Sequence, residues 1–148
     1  DRDVTGVQTC ALPILRRKAG DEGRRWFLQA LRDLDDAKYL SDGGRHNVAC
    51  FLAQQAAEKA LKAFLFFAGA EAVWGHSVAE LCHDVAEMNP EFEGLLKIAG
   101  PLDKYCIPTR YPNGLPGGIP ADAFTEGDAQ MALSMAKQFL DIVEEQLR

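Results

Sequence analysis

No stretch of this chain is apolar enough to cross a bilayer. A spanning helix needs about 20 predominantly apolar residues, and the most apolar run, Ala60 to Ala72, is interrupted by Lys62 and Glu71. A charged start followed by an apolar segment, the mark of a secretory leader, is also missing. Cysteine is sparse. Cys10, Cys50, Cys82 and Cys106 are unevenly spaced and form no CxxC pair. Without Cys10, which falls in a segment set aside below, an odd number remains, which argues against a disulfide framework, and a reducing cytoplasm is expected. No zinc spacing links Cys82 and His83 to another Cys or His, so no metal and no cofactor is expected. Basic charge is in deficit, with 16 Lys and Arg against 22 Asp and Glu and a net charge of −6. Such a chain does not wrap nucleic acid through a general phosphate-binding face. Neither GxxxxGK[ST] nor GxGxxG occurs, which excludes a phosphate-loop nucleotide site. Period-2 alternation is absent, so nothing reads as a strand.

The 3.6-residue period is what the chain has instead. A first helix is predicted from about Asp21 to Leu40, with Phe27, Ala30, Leu31, Leu34 and Ala37 on its apolar face, stopped by Ser41-Asp42-Gly43-Gly44. A second runs from about Arg45 to Ala68, with Gly69 ending it. Val48, Leu52, Ala56, Ala63 and Phe67 form one stripe on it, and Phe51, Leu61, Leu65 and Phe66 lie off that stripe. A helix apolar on more than one side is either central in a bundle or shared with a partner, so a homodimer or heterodimer is expected. Ser77-Val78-Ala79-Glu80 reads as a capping box opening a third helix to Met88. A fourth is predicted from Pro90 to about Cys106, weakened by Gly94 and Gly100. Tyr111 to Asp122, rich in Pro and Gly, reads as a loop, and Thr125 as the N-cap of the last helix. The fold class is therefore all-α, an up-and-down bundle of about five helices.

Three stretches carry a family resemblance. Ala53-Gln54-Gln55-Ala56-Ala57-Glu58-Lys59-Ala60-Leu61-Lys62-Ala63, Gly75-His76-Ser77 and Thr109-Arg110-Tyr111-Pro112 together resemble the HEPN domain family (higher eukaryote and prokaryote nucleotide-binding). The resemblance runs from about Trp26 to Leu147. It implies a helical bundle and a role as partner of a minimal nucleotidyltransferase in a toxin–antitoxin-like gene pair, binding nucleotide or RNA. Ribonuclease members carry an Arg followed after four to six residues by a His. Here the positions that would hold the His are Leu115, Pro116 and Gly117. The resemblance therefore implies a binding module rather than an active ribonuclease. The alternatives are a metal-independent endoribonuclease using Arg110 and His76, and a structural dimerisation domain.

Five residues are candidates for the site. Arg110 has a rigid fork of donors suited to phosphate, whereas spacing alone favours its pairing with a carboxylate to close the bundle. The resemblance favours the ligand role. Tyr111 is suited to stacking on a base. His76 stands just before a helix N-cap, where free N–H groups favour anions, although a locally bonded turn histidine explains it as well. Glu58 and Lys62 form an i,i+4 pair, read as a solvated seam; a nucleotide-facing role for Lys59 and Lys62 stays open. The Arg16-Arg17-Lys18 and Arg24-Arg25 clusters read as an ordinary solvated helix start. Val4 to Ile14 resembles translated sequencing adapter, so residues 1–20 are read as a non-native or disordered tail and residues 21–148 as the HEPN-like domain.

Overall fold

The computed structural model describes residues 18–148, so the adapter-like segment lies outside the described residues. Among the described residues, six α-helices succeed one another: α1 (Ala19–Asp42), α2 (His46–Phe67), α3 (Val78–Met88), α4 (Leu96–Asp103), α5 (Pro120–Ala123) and α6 (Glu126–Gln146), with 3-10 turns at Pro90–Leu95 and Pro112–Gly114. Among the same residues there is no strand. The all-α bundle expected from the periodicity is the observed architecture.

α1 and α2 form the principal pair, a hairpin closed at its turn by Gly44. That residue has φ +82°, a left-handed position suited to glycine, and the following Arg45 N–H returns to the Leu40 carbonyl at 2.8 Å. α6 lies against both, and α3, α5 and α4 cover the remaining side of α2, with the first 3-10 turn packed on α3, α4 and α6. α2 is thus the central helix. Its apolar character follows from that position, since it is covered on several sides rather than one.

The residues that make α2 central are smaller than its apolar periodicity implies. Ala49, Ala53, Ala56, Ala57, Ala60 and Ala63 are all fully buried. Small side chains let neighbouring backbones come close, and α1 uses this: a Cβ on Gly23 would lie 2.8 Å from the Ala63 carbonyl oxygen and 2.8 Å from Phe67 Cβ. Of the expected stripe, Ala56 and Ala63 are fully buried, Leu52 and Phe67 are half-buried, and Val48 is 39 % exposed. Leu61 and Phe66, expected to project beyond the core, are buried within the single chain, whereas Phe51 and Leu65 are half-buried. The packing thereby removes two of the four residues that suggest an exposed second face. On α1 the expected face holds except for Leu31, which is 41 % exposed at the α1–α6 seam.

Two boundaries also differ. The single fourth helix expected to Cys106 is a 3-10 turn followed by α4, which ends at Asp103. Pro101 sits inside α4 and supplies no N–H to the ladder. The expected loop from Tyr111 to Asp122 contains one turn of 3-10 helix and the start of α5, where Pro120 occupies the first turn. Thr125 caps α6 as expected, and its reciprocal partner is Asp128: the Thr125 hydroxyl accepts from the Asp128 N–H at 3.2 Å, and Asp128 accepts from the Thr125 N–H at 2.8 Å.

Candidate functional site

Two polar groupings lie along α2, one near its N-terminal end and one past its middle. The first is built by the segment Cys106–Tyr111. Buried Thr109 anchors it: its hydroxyl donates to the Tyr105 carbonyl, and its own carbonyl accepts from Asn47 Nδ2 of α2 at 3.0 Å. That fixes the backbone of Arg110 against α2. The guanidinium is then oriented from two sides. Nε donates to the Cys106 carbonyl at 2.8 Å, and Cζ lies 4.2 Å from the centroid of the Phe51 ring and 5.1 Å from that of Tyr111. Nη2 approaches Cys106 Sγ at 3.5 Å. Arg110 is exposed, and among the described residues no carboxylate lies within ion-pair distance of it. The carboxylate anchor that spacing allowed is not formed. Tyr111, 50 % exposed, stands beside it.

The second grouping surrounds His76. Glu58 and Lys62, one turn apart on α2, form an ion pair at 3.0 Å with side chains only 5 % and 6 % exposed. The seam expected to be solvated is buried, because the loop that leads into α3 folds over it. His76 Nδ1 lies 3.2 Å from Glu58 Oε2 and 3.4 Å from Lys62 Nζ, while the rest of the ring stands in solvent. Gln55 Nε2 donates to the other Glu58 oxygen at 3.4 Å and to Gln54 Oε1 at 2.8 Å. Lys59, on the adjoining flank, pairs with Asp33 of α1, which also accepts from Gln29 at 2.8 Å. Both lysines for which a nucleotide-facing role stood open are therefore engaged with carboxylates.

Asp103 is a residue of this grouping that no local pattern marks. Its carboxylate sits over the N-terminus of α3 and accepts from Val78 N–H at 2.7 Å, Ala79 N–H at 2.9 Å and the Ser77 hydroxyl at 2.8 Å. Ser77 caps as expected, accepting from Glu80 N–H at 3.1 Å, but Glu80 makes no return contact, and Asp103 instead takes the Ser77 hydroxyl and the next two N–H groups. The anion-favouring end of α3 is thus already filled from within the chain. Gln54, fully buried, ties the arrangement together by donating to Asp103 at 3.3 Å and to the His76 carbonyl at 3.4 Å. The short-range capping pattern points to Glu80; only a long-range fold contact brings Asp103 there.

Phe51, Glu58 and Lys62 fall at i, i+7 and i+11 on α2 and so share one face. The structure brings Arg110, Tyr111 and His76 to that face, with the two groupings separated by two helical turns, about 10 Å along the axis. Beneath it, burial with the nearby Asp128 charge pushes the Cys50 thiol up to about 12, and burial pushes Cys82 up to about 11. Burial likewise raises Tyr105, with Cys50 and Asp128 adding to it. These groups serve the core. Among the described residues no cluster of three or more His, Cys, Asp or Glu side chains is arranged to hold a metal, and no helix is long and apolar enough to cross a membrane.

The chain is thus an all-α domain whose central alanine-rich helix is flanked by the Arg-Tyr-Pro segment and by a third helix with His76 just before its cap. The family model for the HEPN domain matches residues 24–146, and the chain belongs to the HEPN domain family. Among solved structures it is similar to TT1696 from Thermus thermophilus, with 42 % identity and a TM-score of 0.79 over 84 % of this chain and 97 % of that one. It is also similar to ST0689, an archaeal HEPN homologue, with 38 % identity and a TM-score of 0.70 over 90 % of this chain and 100 % of that one. A third is an HEPN domain protein of Thermotoga maritima, with 33 % identity and a TM-score of 0.67 over 83 % of this chain and 97 % of that one. No curated protein matches the chain.

Proposed function

We propose that this HEPN protein is a nucleotide- or RNA-binding module that works in the cytoplasm as partner of a minimal nucleotidyltransferase, in a toxin–antitoxin-like pair, with Arg110 and Tyr111 as its ligand contacts. The single observation that supports the ligand role is the state of Arg110. A guanidinium stacked on Phe51, exposed and without a carboxylate partner among the described residues, is oriented but not neutralised. Stacking and the Nε bond to Cys106 hold its plane, leaving the outer edge to donate to a phosphate. Tyr111 beside it offers a face for a base. The family resemblance supplies the partner class. Exposed Ile107, Tyr111 and Val48 near this site are side chains a protein partner or a second copy would cover. In this reading residues 21–148 form the HEPN domain and the adapter-like segment before it is non-native.

The test is binding and turnover in one experiment. A labelled single-stranded RNA is titrated into wild-type protein and into Arg110→Lys and Arg110→Ala, and the same proteins are incubated with total RNA. Binding without cleavage, weakened roughly tenfold or more in both variants, is the expected result. Cleavage by wild type that is lost in Arg110→Ala and His76→Ala would replace this reading with the endoribonuclease. Within one chain Arg110 and His76 meet α2 at Phe51 and Glu58, two turns apart, which favours binding. Unchanged binding in the variants, together with a stable dimer, would leave only the structural dimerisation domain.

A further inference from the structure

The buried Glu58–Lys62 pair does more than fill a seam, because it fixes which way His76 presents its ring. The backbone of His76 is pinned on both sides. Its carbonyl accepts from Gln54, and Ser77, Val78 and Ala79 immediately after it are all bonded to Asp103. Gly75, at φ +94°, makes the bend that brings the ring back over α2. The ring nitrogen that reaches α2 is Nδ1, and its shorter contact is the Glu58 oxygen at 3.2 Å. A carboxylate oxygen only accepts, so that contact requires the proton on Nδ1. Lys62, which has three N–H donors and gives one to the same Glu58 oxygen at 3.0 Å, stands farther from Nδ1 at 3.4 Å, so the tautomer is set by the shorter contact to Glu58. In the neutral imidazole the other nitrogen, Nε2, is then an acceptor. It has no partner among the described residues, on a side chain that is 82 % exposed.

An outward acceptor does not suit a phosphate oxygen, which also accepts. It suits a hydroxyl. On the same face of α2, over Phe51, which stands two turns or about 10 Å along the axis from Glu58, Arg110 presents donors that suit a phosphate. We propose that His76 Nε2, oriented by Glu58, is a second contact on the ligand face that accepts a hydrogen bond from a ribose 2′-hydroxyl, so that the ligand is single-stranded RNA spanning both contacts rather than a mononucleotide or DNA. The 2′-hydroxyl is the group by which a protein tells the two nucleic acids apart at a given site. A mononucleotide held at Arg110 is too short to reach His76. Glu58 is a positioning residue in this arrangement, and His76 the contact. This inference rests on the proposal that Arg110 engages nucleic acid.

Fluorescence anisotropy with 5′-labelled oligo(U) and oligo(dU) of equal length, at about pH 8 and low salt, separates the two layers. Wild type is expected to prefer RNA by about three- to tenfold, the range of one neutral hydrogen bond. His76→Ala is expected to lose the RNA preference and bind RNA and DNA alike; the ring is mostly in solvent, so the variant folds. Arg110→Lys should weaken both oligonucleotides by a similar factor and leave the RNA preference in place. UMP and dUMP should compete equally, because neither spans the two contacts. Equal binding of RNA and DNA by wild type overturns the His76 contact while leaving the Arg110 reading intact. An RNA preference that survives in His76→Ala overturns it as well. Failure of wild type to bind either strand overturns both.

Discussion

The guanidinium carbon of Arg110 lies 4.2 Å from the centroid of the Phe51 ring, so a residue of the Arg-Tyr-Pro segment is seated on the central helix. The contact explains how an exposed arginine with no carboxylate partner among the described residues keeps a defined direction. Exposed cation–π contacts contribute about 0.5–1 kcal/mol. Arg110→Ala is therefore expected to lower stability by no more than about 1 kcal/mol while abolishing most of the binding. Phe51→Leu, which keeps the apolar cover but removes the ring, should weaken binding several-fold with Arg110 still present. Melting curves and anisotropy on the same samples decide it. A large fall in melting temperature for Arg110→Ala, with residual binding of normal affinity, would mark the residue as an anchor of the fold.

Gly23 faces the Ala63 carbonyl and Phe67 across the α1–α2 interface, and an added Cβ would stand at 2.8 Å from each. One contact is with backbone, which cannot swing aside. In a helix interior Gly→Ala ordinarily gains about 0.8–1 kcal/mol through propensity. Here the helices must separate, and overpacking costs about 1–3 kcal/mol. The expected net effect of Gly23→Ala is a loss of about 1–2 kcal/mol in urea unfolding. Gly94→Ala is the control, since nothing lies within 4 Å of the place its Cβ would take. It should be close to neutral. A gain in stability for Gly23→Ala would show that the two helices are not so closely apposed.

Helix ends are legible in this chain wherever the signal is local. Gly44 closes the α1–α2 turn, and Ser77 and Thr125 cap α3 and α6, because side-chain-to-backbone capping acts over three or four residues. The Arg-Tyr-Pro segment is legible for the same reason, as a short motif. What the sequence hides is long-range. Asp103 reaches α3 across 24 to 26 residues, and nothing near it in the chain announces that role. The burial of Glu58 and Lys62 is hidden too, since an i,i+4 ion pair looks the same on a solvated or a covered face. Side-chain size is a poor guide to the core face of α2, because the closest helix contacts select alanine there.

The Glu58–Lys62 pair carries its own prediction. Both side chains are almost wholly buried, with exposures of 5 % and 6 %. Breaking such a pair from one side leaves a charge without its partner and costs about 3–5 kcal/mol. Lys62→Met should therefore destabilise strongly in urea titration. Replacing both residues, with Glu58→Leu added to Lys62→Met, should recover most of the loss, because two apolar side chains fill the space without any buried charge. The double variant should also bind oligo(U) and oligo(dU) alike, since His76 has lost the group that orients it. Additive losses in the double variant would mean that the two residues act independently.

Cys50 gives the pH dependence. It is fully buried, and burial together with the Asp128 charge moves its thiol from an ordinary value near 9 up to about 12. A group whose folded-state value is raised holds its proton more tightly in the folded chain. The folded state is then favoured in full below about pH 9, and that advantage is lost as the pH climbs toward 12. The slope from this one thiol is at most about 1.4 kcal/mol per pH unit. Urea midpoints measured at about pH 8 and at about pH 10.5 should fall further for wild type than for Cys50→Ala, which has no thiol to ionise. The same burial protects the residue from reagents, because the thiolate is the nucleophile. Iodoacetamide at about pH 8, followed by peptide mapping, should modify half-buried Cys106 well before Cys50 or Cys82. Equal rates at Cys50 and Cys106, or identical midpoint shifts in wild type and Cys50→Ala, would show that solvent reaches the centre of α2.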